Sequence, residues 1–445
     1  MVAIPPSVST AASTLTSLGA IVGADMLLRR AFLARAIPFP SSLAGMLGLF
    51  SGLCALQGAK PKAATAVFDF ASPGCAFISR WLALFFVPNL VVLPLVLQMS
   101  ATEAVKLATL VVVGLSVSLP LAAWTATAAL GPAALKSSGG KAEWVGPAVE
   151  KPPPAAATPQ KNLLLAPPLK GLAALSAGLA ACALAAATVG SAVAPVAATS
   201  FLFSVTILGF AYGGSLPAAV QKALHPLILC TLATQAAAAL LAAATSQPLI
   251  PLLRTYLIAG GAPLAAPGNL LLFMLGPATL SFGFQMFSRR RLMRESAKAV
   301  SAVVGSAAAF GLFVTALGGR WLRLDMGLRL AALPRQVTAP LAIAIAGMLS
   351  ADPSVAATIV VVTGLLAANF GRAALDAVGC TSPVARGLAM GAAGHGLGTA
   401  AMAEEKEAFP FAAIAMALNA ALSTVLVSVP VVRRLLLAAA GAPPA

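Results

Sequence analysis

Charge is scarce in this sequence: 9% of its 445 residues are charged, 6% are aromatic and 60% are hydrophobic. A soluble domain of this size could not hide that much apolar surface, so a water-soluble globular protein is excluded. Cysteines are few and unpaired in spacing. Cys54, Cys75, Cys182, Cys230 and Cys380 show no CxxC pattern and sit mostly in apolar runs, which excludes a metal cluster or a disulfide framework. No P-loop, no Ser-His-Asp set and no metalloprotease His-Glu pair occurs. An ATP-driven pump and an enzyme are therefore not expected, nor are a cofactor or a metal.

Apolar runs long enough to cross a bilayer are present in number. A helix needs about 20 mainly apolar residues for this, and such stretches alternate with short Pro, Gly or basic breaks. The expected fold is an all-α polytopic membrane protein of about twelve transmembrane helices, with broken or re-entrant helices in its C-terminal part. The net charge of +16 resides in Lys and Arg of the breaks, where they meet anionic head groups of the lipid bilayer. Nucleic-acid binding is not expected, because no basic stripe is interleaved with exposed aromatics. Arg29, Arg30 and Arg35 follow the first span and Lys60 and Lys62 the second, so positive charge marks both sides and leaves the orientation open. Met1–Ser17 is rich in Ser and Thr and lacks acids, like the end of an organelle transit peptide, though too short for a full one.

Spans are expected near 12–34, 41–57, 81–98 and 106–130, with an amphipathic connector at 60–80. This makes 1–130 a four-helix unit. Residues 131–168 mix Lys136, Lys141, Glu143, Glu150, Lys151 and Lys161 with Pro152, Pro153, Pro154, Pro159, Pro167 and Pro168 and read as an extended linker. From 169 to 445, apolar stretches recur near 170–189, 194–212, 224–245, 268–287, 297–318, 326–350, 354–378, 383–402 and 408–440, with a short one at 248–259. Three are interrupted: by Gly276-Pro277, by Pro334, Arg335 and Pro340, and by the glycines between Gly387 and Gly398.

Arg335 carries the strongest chemical signal. An arginine deep in an apolar stretch costs roughly 2.5–3.5 kcal/mol on insertion scales, so it must face a partner, a cavity or the bundle interior. Pro340 suits the first turn of a new half-helix, with Thr338 or Ala339 as its cap. Amides at that start, beside Arg335, would form an anion site of the kind transporters build from broken helices. The alternative is a proline kink whose arginine snorkels to the interface or pairs with Asp325 or Asp352.

Gly394-His395-Gly396-Leu397-Gly398-Thr399 has too little side chain to remain a stable helix. Exposed amides beside an imidazole and a hydroxyl can bind a carboxylate or hydroxyl ligand. His395 is the candidate proton-coupling group; the alternative is a buried histidine bonded to a backbone carbonyl. Asn419 is either a helix–helix bond or a ligand contact. Glu404, Glu405 and Glu407 read as solvated loop acids, with a gate or cation site as the alternative. Arg289, Arg290, Arg291, Arg294 and Lys298 read as a head-group anchor, Gly48 and Gly52 as a weak packing signal, and Asp25, Asn369 and Arg372 as intramembrane polar positions to test.

Several of these motifs occur in the order of a known family. Leu275–Thr279, Leu333–Ala342, Ser382–Gly387 and Gly394–Ala400 together resemble the LrgB family. Ile37–Met46 and Trp81–Pro88 resemble, more loosely, the LrgA family. The fused order, with Phe409–Ala415 and Ser428–Arg433, is similar to the plant and algal plastid form. That resemblance implies a secondary transporter exchanging glycolate and glycerate across the chloroplast inner envelope in photorespiration, by alternating access and with proton coupling as an option. The bacterial members imply the alternative, a holin-like or regulatory protein of the plasma membrane acting as an oligomer of its own copies. Small 2-hydroxycarboxylates need a cation or helix N-terminus for the carboxylate and short polar groups for the hydroxyl. Arg335, Thr338, His395 and Thr399 can supply these, with Gly394, Gly396, Gly398 and Asn419 completing the expected substrate site.

Overall fold

The computed structural model describes residues 6–37, 39–96, 99–131, 135–138, 141–144, 167–217, 220–221, 224–258 and 261–442. The front of the chain forms α1 (Pro6–Ala34), α2 (Ser41–Ala59), α3 (Pro61–Trp81), two short pieces, α4 (Val87–Val91) and α5 (Leu93–Val96), and α6 (Ala101–Leu130). A two-stranded antiparallel hairpin follows, β1 (Leu135–Ser138) and β2 (Lys141–Trp144), pairing Leu135 with Trp144. Next come α7 (Pro167–Thr188), α8 (Ala194–Ser215), α9 (Pro226–Ala244), α10 (Leu249–Tyr256), α11 (Pro267–Phe273), α12 (Leu275–Ser288) and α13 (Arg290–Glu295). The last third contains α14 (Ala297–Trp321), α15 (Met326–Ala332), α16 (Ala339–Met348), α17 (Pro353–Ala377), α18 (Pro383–Ala401), α19 (Phe409–Ser428) and α20 (Pro430–Ala440).

The fold is that of a polytopic all-α membrane protein. Among the described residues, ten helices are long and apolar enough to cross a bilayer, counting α11 and α12 as one stretch. The two interrupted elements, 326–348 and α18, lie outside those ten.

Three expected stretches differ. The span at 81–98 breaks into a 3-10 turn, α4 and α5; Pro88 and Pro94 each remove a helix donor and clash with the preceding turn, so hydropathy alone overstates this segment. Residues 408–440 divide into α19 and α20 at Pro430 for the same reason. Part of the 131–168 segment is the β1–β2 hairpin; residues 132–134, 139–140 and 145–166 lie outside the described residues.

Two compact units emerge: residues 1–77, 99–155 and 276–445 form one, and 78–98 with 156–275 the other. In the second unit, Thr206 Oγ1 lies 3.1 Å from Thr234 Oγ1 and 3.0 Å from Tyr256 Oη, a buried hydroxyl knot joining α8, α9 and α10. Gln235 Nε2 donates to Leu90 O and Val91 O, each at 3.1 Å, satisfying carbonyls that the broken 84–96 segment leaves open.

The first unit has its core where α6, α14, α17, α18 and α19 meet, around Leu119, Val303, Leu375, Leu388 and Phe411. Small residues let these helices approach closely. A Cβ on Gly387 or Gly391 of α18 would run into Ala408 O and Ala412 O of the following segment. By contrast, among the described residues nothing lies within 4 Å of where Cβ atoms on Gly48 and Gly52 would stand, so that pair packs on none of them.

Candidate functional site

Helix α18 reverses direction at one residue. His395 adopts φ 42° and ψ −139° inside otherwise helical backbone, and beyond it the chain folds back: a Cβ on Gly398 would lie 3.2 Å from Met390 O, a distance that eight residues of straight helix would stretch to about 12 Å. The two arms are clasped at their outer end. Arg386 takes Glu405 in a fork, Nε to Oε2 at 2.7 Å and Nη2 to Oε1 at 2.6 Å, and its Nη1 reaches Asp376 Oδ1 at 2.6 Å. Arg372 pairs with Glu404 beside it. Glu404 and Glu405 are thus ion-paired rather than free loop acids, because the reversal brings them back to the start of α18.

The tip of this hairpin reaches the middle of α17. His395 Nε2 lies 2.7 Å from Val360 O, and a Cβ on Gly364 would collide with its ring. Nε2 therefore carries the hydrogen toward that carbonyl. Thr399 Oγ1 donates to Ala412 O at 3.4 Å. Gly394 and Gly398 pack against Ala367 of α17, and Gly396 lies near Met416. The expectation that 394–399 would lose its helix is corrected: only His395 leaves helical geometry, because close packing on both sides holds the glycines in place.

The second interruption separates α15 from α16. Residues 333–338 form a tight turn, with Arg335 N donating to Ala332 O at 3.0 Å and Val337 N to Pro334 O at 2.9 Å. Thr338 is the N-cap of α16 through its backbone, and Pro340 occupies the first turn. The Thr338 side chain makes no capping bond, so its hydroxyl is left to other partners.

Arg335 is 1% exposed and lies against α14 and α6. Its Nε donates to Thr315 Oγ1 at 2.9 Å, and a Cβ on Gly114 would come within 2.5 Å of Nη2, so only glycine leaves room there. Neither expected acid pairs with it. Asp325 caps α15 through Gly327 N, and Asp352 caps α17 through Ser354 N and Val355 N. Nη1 of Arg335, Oγ1 of Thr338, both amide atoms of Gln336 and Oδ1 of Asn419 are buried without a hydrogen-bond partner among the described residues. Each such group costs about 1–3 kcal/mol if left so, and five on one turn and on the asparagine bonded to it make an arrangement that a polar ligand would relieve.

Asn419 joins the two interruptions. It is fully buried at the midpoint of α19, and Nδ2 donates to Gln336 O at 3.2 Å and to Ala392 O at 3.0 Å. The approach is from opposite ends: α16 runs outward to Met348, 3.4 Å from Ser428 at the end of α19, whereas the clasp of α18 stands at its start.

The turn that carries Arg335 and Thr338 is therefore tied to Asn419 through Gln336 O, while His395 and Thr399 bond to α17 and to Ala412. Gly276 and Pro277 open α12 and pack elsewhere: a Cβ on Gly276 would meet the Asp25 carboxylate, which is buried and bonded to Arg29 at 2.6 Å. Arg289 of the basic block is buried and donates to Gln285 O at 3.1 Å, and burial pushes its guanidinium down to about 10; the remaining arginines of the block are more exposed. Gln336, Thr315, Gly311 and Gly114 escaped the sequence reading. Gln336 had a usable signal, a second polar residue beside Arg335 at a break. Gly114 had none, since its role is set by a residue more than two hundred positions away.

The LrgB-like family matches residues 206–433, about half the chain, and the LrgA family matches 29–126. The chain belongs to the LrgB-like family, with an LrgA segment fused ahead of it. It is 39% identical over 432 residues, covering 96% of this chain and 81% of the relative, to plastidal glycolate/glycerate translocator 1, chloroplastic, of Arabidopsis thaliana. It is also 32% identical over 132 residues to the uncharacterized protein YwbG of Bacillus subtilis, 30% of this chain and 59% of that one. No solved structure matches. Gly114 belongs to the LrgA segment and Arg335 to the LrgB segment, so both families contribute to the wall of one cluster.

Proposed function

We propose that the chain is a secondary transporter that exchanges glycolate and glycerate across the chloroplast inner envelope by alternating access. The observation that carries this reading is Arg335, buried at a helix break with Nη1 unpartnered among the described residues, on the same turn as Thr338 and as the Gln336 carbonyl that Asn419 holds. A carboxylate would take the guanidinium and the start of α16, as anions do at broken helices. The relative named as a glycolate/glycerate translocator supports the choice of substrate and compartment. Two interruptions approaching from opposite ends of α19 suit alternating access, because opening either one would expose the shared centre to one side only. In this reading 169–445 holds the transport unit, 131–168 is a linker, and the front segment 1–130 adds α6 to the wall.

The test is counterflow. Full-length protein in liposomes preloaded with glycerate should accumulate labelled glycolate with saturation, and Arg335→Ala should abolish uptake while the protein elutes as a folded species. Saturable uptake unchanged in Arg335→Ala would refute the site. Proton coupling is assigned to His395, whose freed imidazole would take a proton when the hairpin tip leaves Val360. Uptake equally indifferent to an imposed pH gradient in wild type and in His395→Gln would remove that role.

A further inference from the structure

We infer that Gln336 is the group that distinguishes a 2-hydroxycarboxylate from a carboxylate without the hydroxyl; this rests on the anion-site reading of Arg335. Gln336 is 4% exposed, and neither Nε2 nor Oε1 has a partner among the described residues. Its side-chain oxygen lies against Gly311 of α14, where a Cβ would collide with it. Thr315, four residues further along α14, receives Arg335 Nε at 2.9 Å. Positions four apart share a helix face, so the guanidinium and the amide meet α14 at points about one helical turn, roughly 6 Å, apart.

That spacing fits a molecule whose carboxylate and hydroxyl are on adjacent carbons. Thr315 fixes the guanidinium: its own hydroxyl hydrogen goes to Gly311 O at 2.6 Å, and its lone pair accepts from Arg335. Gln336 is fixed from behind, because its backbone carbonyl accepts from Asn419. An amide offers one donor and one acceptor side by side. A hydroxyl is also both, and can accept from Nε2 and donate to Oε1. A ketone oxygen only accepts and would leave Oε1 unpaired, and a plain methyl would leave both atoms unpaired. A site built to hydrogen-bond a hydroxyl rejects analogues that lack it far more strongly than an apolar pocket distinguishes one methylene.

The experiment uses competition against labelled glycolate in liposomes carrying the full chain. For wild type, glycolate should compete at least about a thousandfold better than acetate, more than an apolar pocket achieves, and lactate better than both pyruvate and propanoate. Gln336→Met, similar in volume and unable to hydrogen-bond, should bring glycolate and acetate within about threefold of each other while acetate still competes. Wild-type protein that takes acetate as well as glycolate overturns the inference without any variant being made. An undiminished glycolate preference in Gln336→Met also overturns it, and if Arg335→Ala abolishes binding of both acids in that case, the carboxylate site stands. Glycolate binding that survives Arg335→Ala refutes the underlying site instead.

Discussion

Asn419 donates to the Gln336 carbonyl at 3.2 Å across 83 residues of sequence, and the same amide holds Ala392 O at 3.0 Å. One side chain thereby fixes the turn of the first interruption against the arm of the second. Asn419→Leu removes both bonds and leaves Gln336 O without that donor. A loss of about 2–3 kcal/mol is expected for two buried bonds of this kind, read as a lower midpoint in thermal unfolding of detergent-solubilised protein. Glycolate uptake should fall as well, since the turn carrying Arg335 loses its anchor. Unchanged uptake and midpoint would contradict the coupling.

The clasp at Arg386 and Glu405 predicts a measurable coupling. Arg386 side-chain exposure is 12% and Glu405 is 26%, so the fork is shielded more than a surface pair, whereas Asp376 is 66% exposed. A double-mutant cycle with Arg386→Gln and Glu405→Gln should give an interaction of about 1–3 kcal/mol, and Asp376→Asn should change stability by less than about 0.5 kcal/mol. Arg386→Lys should not rescue, because a point charge cannot reproduce two parallel bonds.

His225 precedes α9 and accepts the Leu227 amide through Nδ1 at 3.3 Å. Burial pushes its imidazole down from 6.5 to about 4. A depressed value in the folded chain means that the unfolded chain binds the proton first as pH falls. The stabilisation is complete above about 6.5 and is lost progressively as pH drops toward 4. His225→Asn keeps a capping acceptor and removes the titration. The wild-type unfolding midpoint should decline more steeply than that of the variant between these limits, and parallel profiles would show that His225 does not contribute.

The packing of α6 predicts that the front segment stays attached without its covalent link. Leu119, Ala122 and Ala126 share a core with α14 and α18, and Gly114 accommodates Arg335. A protease site inserted within 145–166 and cut after purification should leave both fragments co-eluting in mild detergent, with glycolate uptake retained. Separation of the fragments on size exclusion would refute this.

Much of this architecture is legible in the sequence. Pro334, Pro340 and the glycine run marked both interruptions, because proline and clustered glycine act locally. The reversal at His395 was not legible. A non-glycine residue at φ 42° is strained by about 1–3 kcal/mol, and it persists here because Val360 O and the distant Arg386–Glu405 pair hold it. Glu404 and Glu405 read as solvated for the same reason, their partners being apparent only after the chain has turned back. Pro88 and Pro94 were visible in the 81–98 stretch, but its hydropathy outweighed them in the reading. The neighbours of Arg335 depend on helices that are remote in sequence, and no spacing rule connects Gly114 or Thr315 to it.

The clasp has one more implication. Arg386 lies nine residues before His395 and Glu405 ten residues after it, so the arms are nearly matched in length. Nine residues of helix rise about 13.5 Å, close to half of a hydrocarbon layer of about 30 Å. The hairpin would thus work as a ruler: were its charged end held at a membrane boundary, the count of residues in its arms would set how deep the tip stands. Insertion or deletion of a single turn in one arm would break the register between the clasp and the tip, and would pull Ala392 away from Asn419.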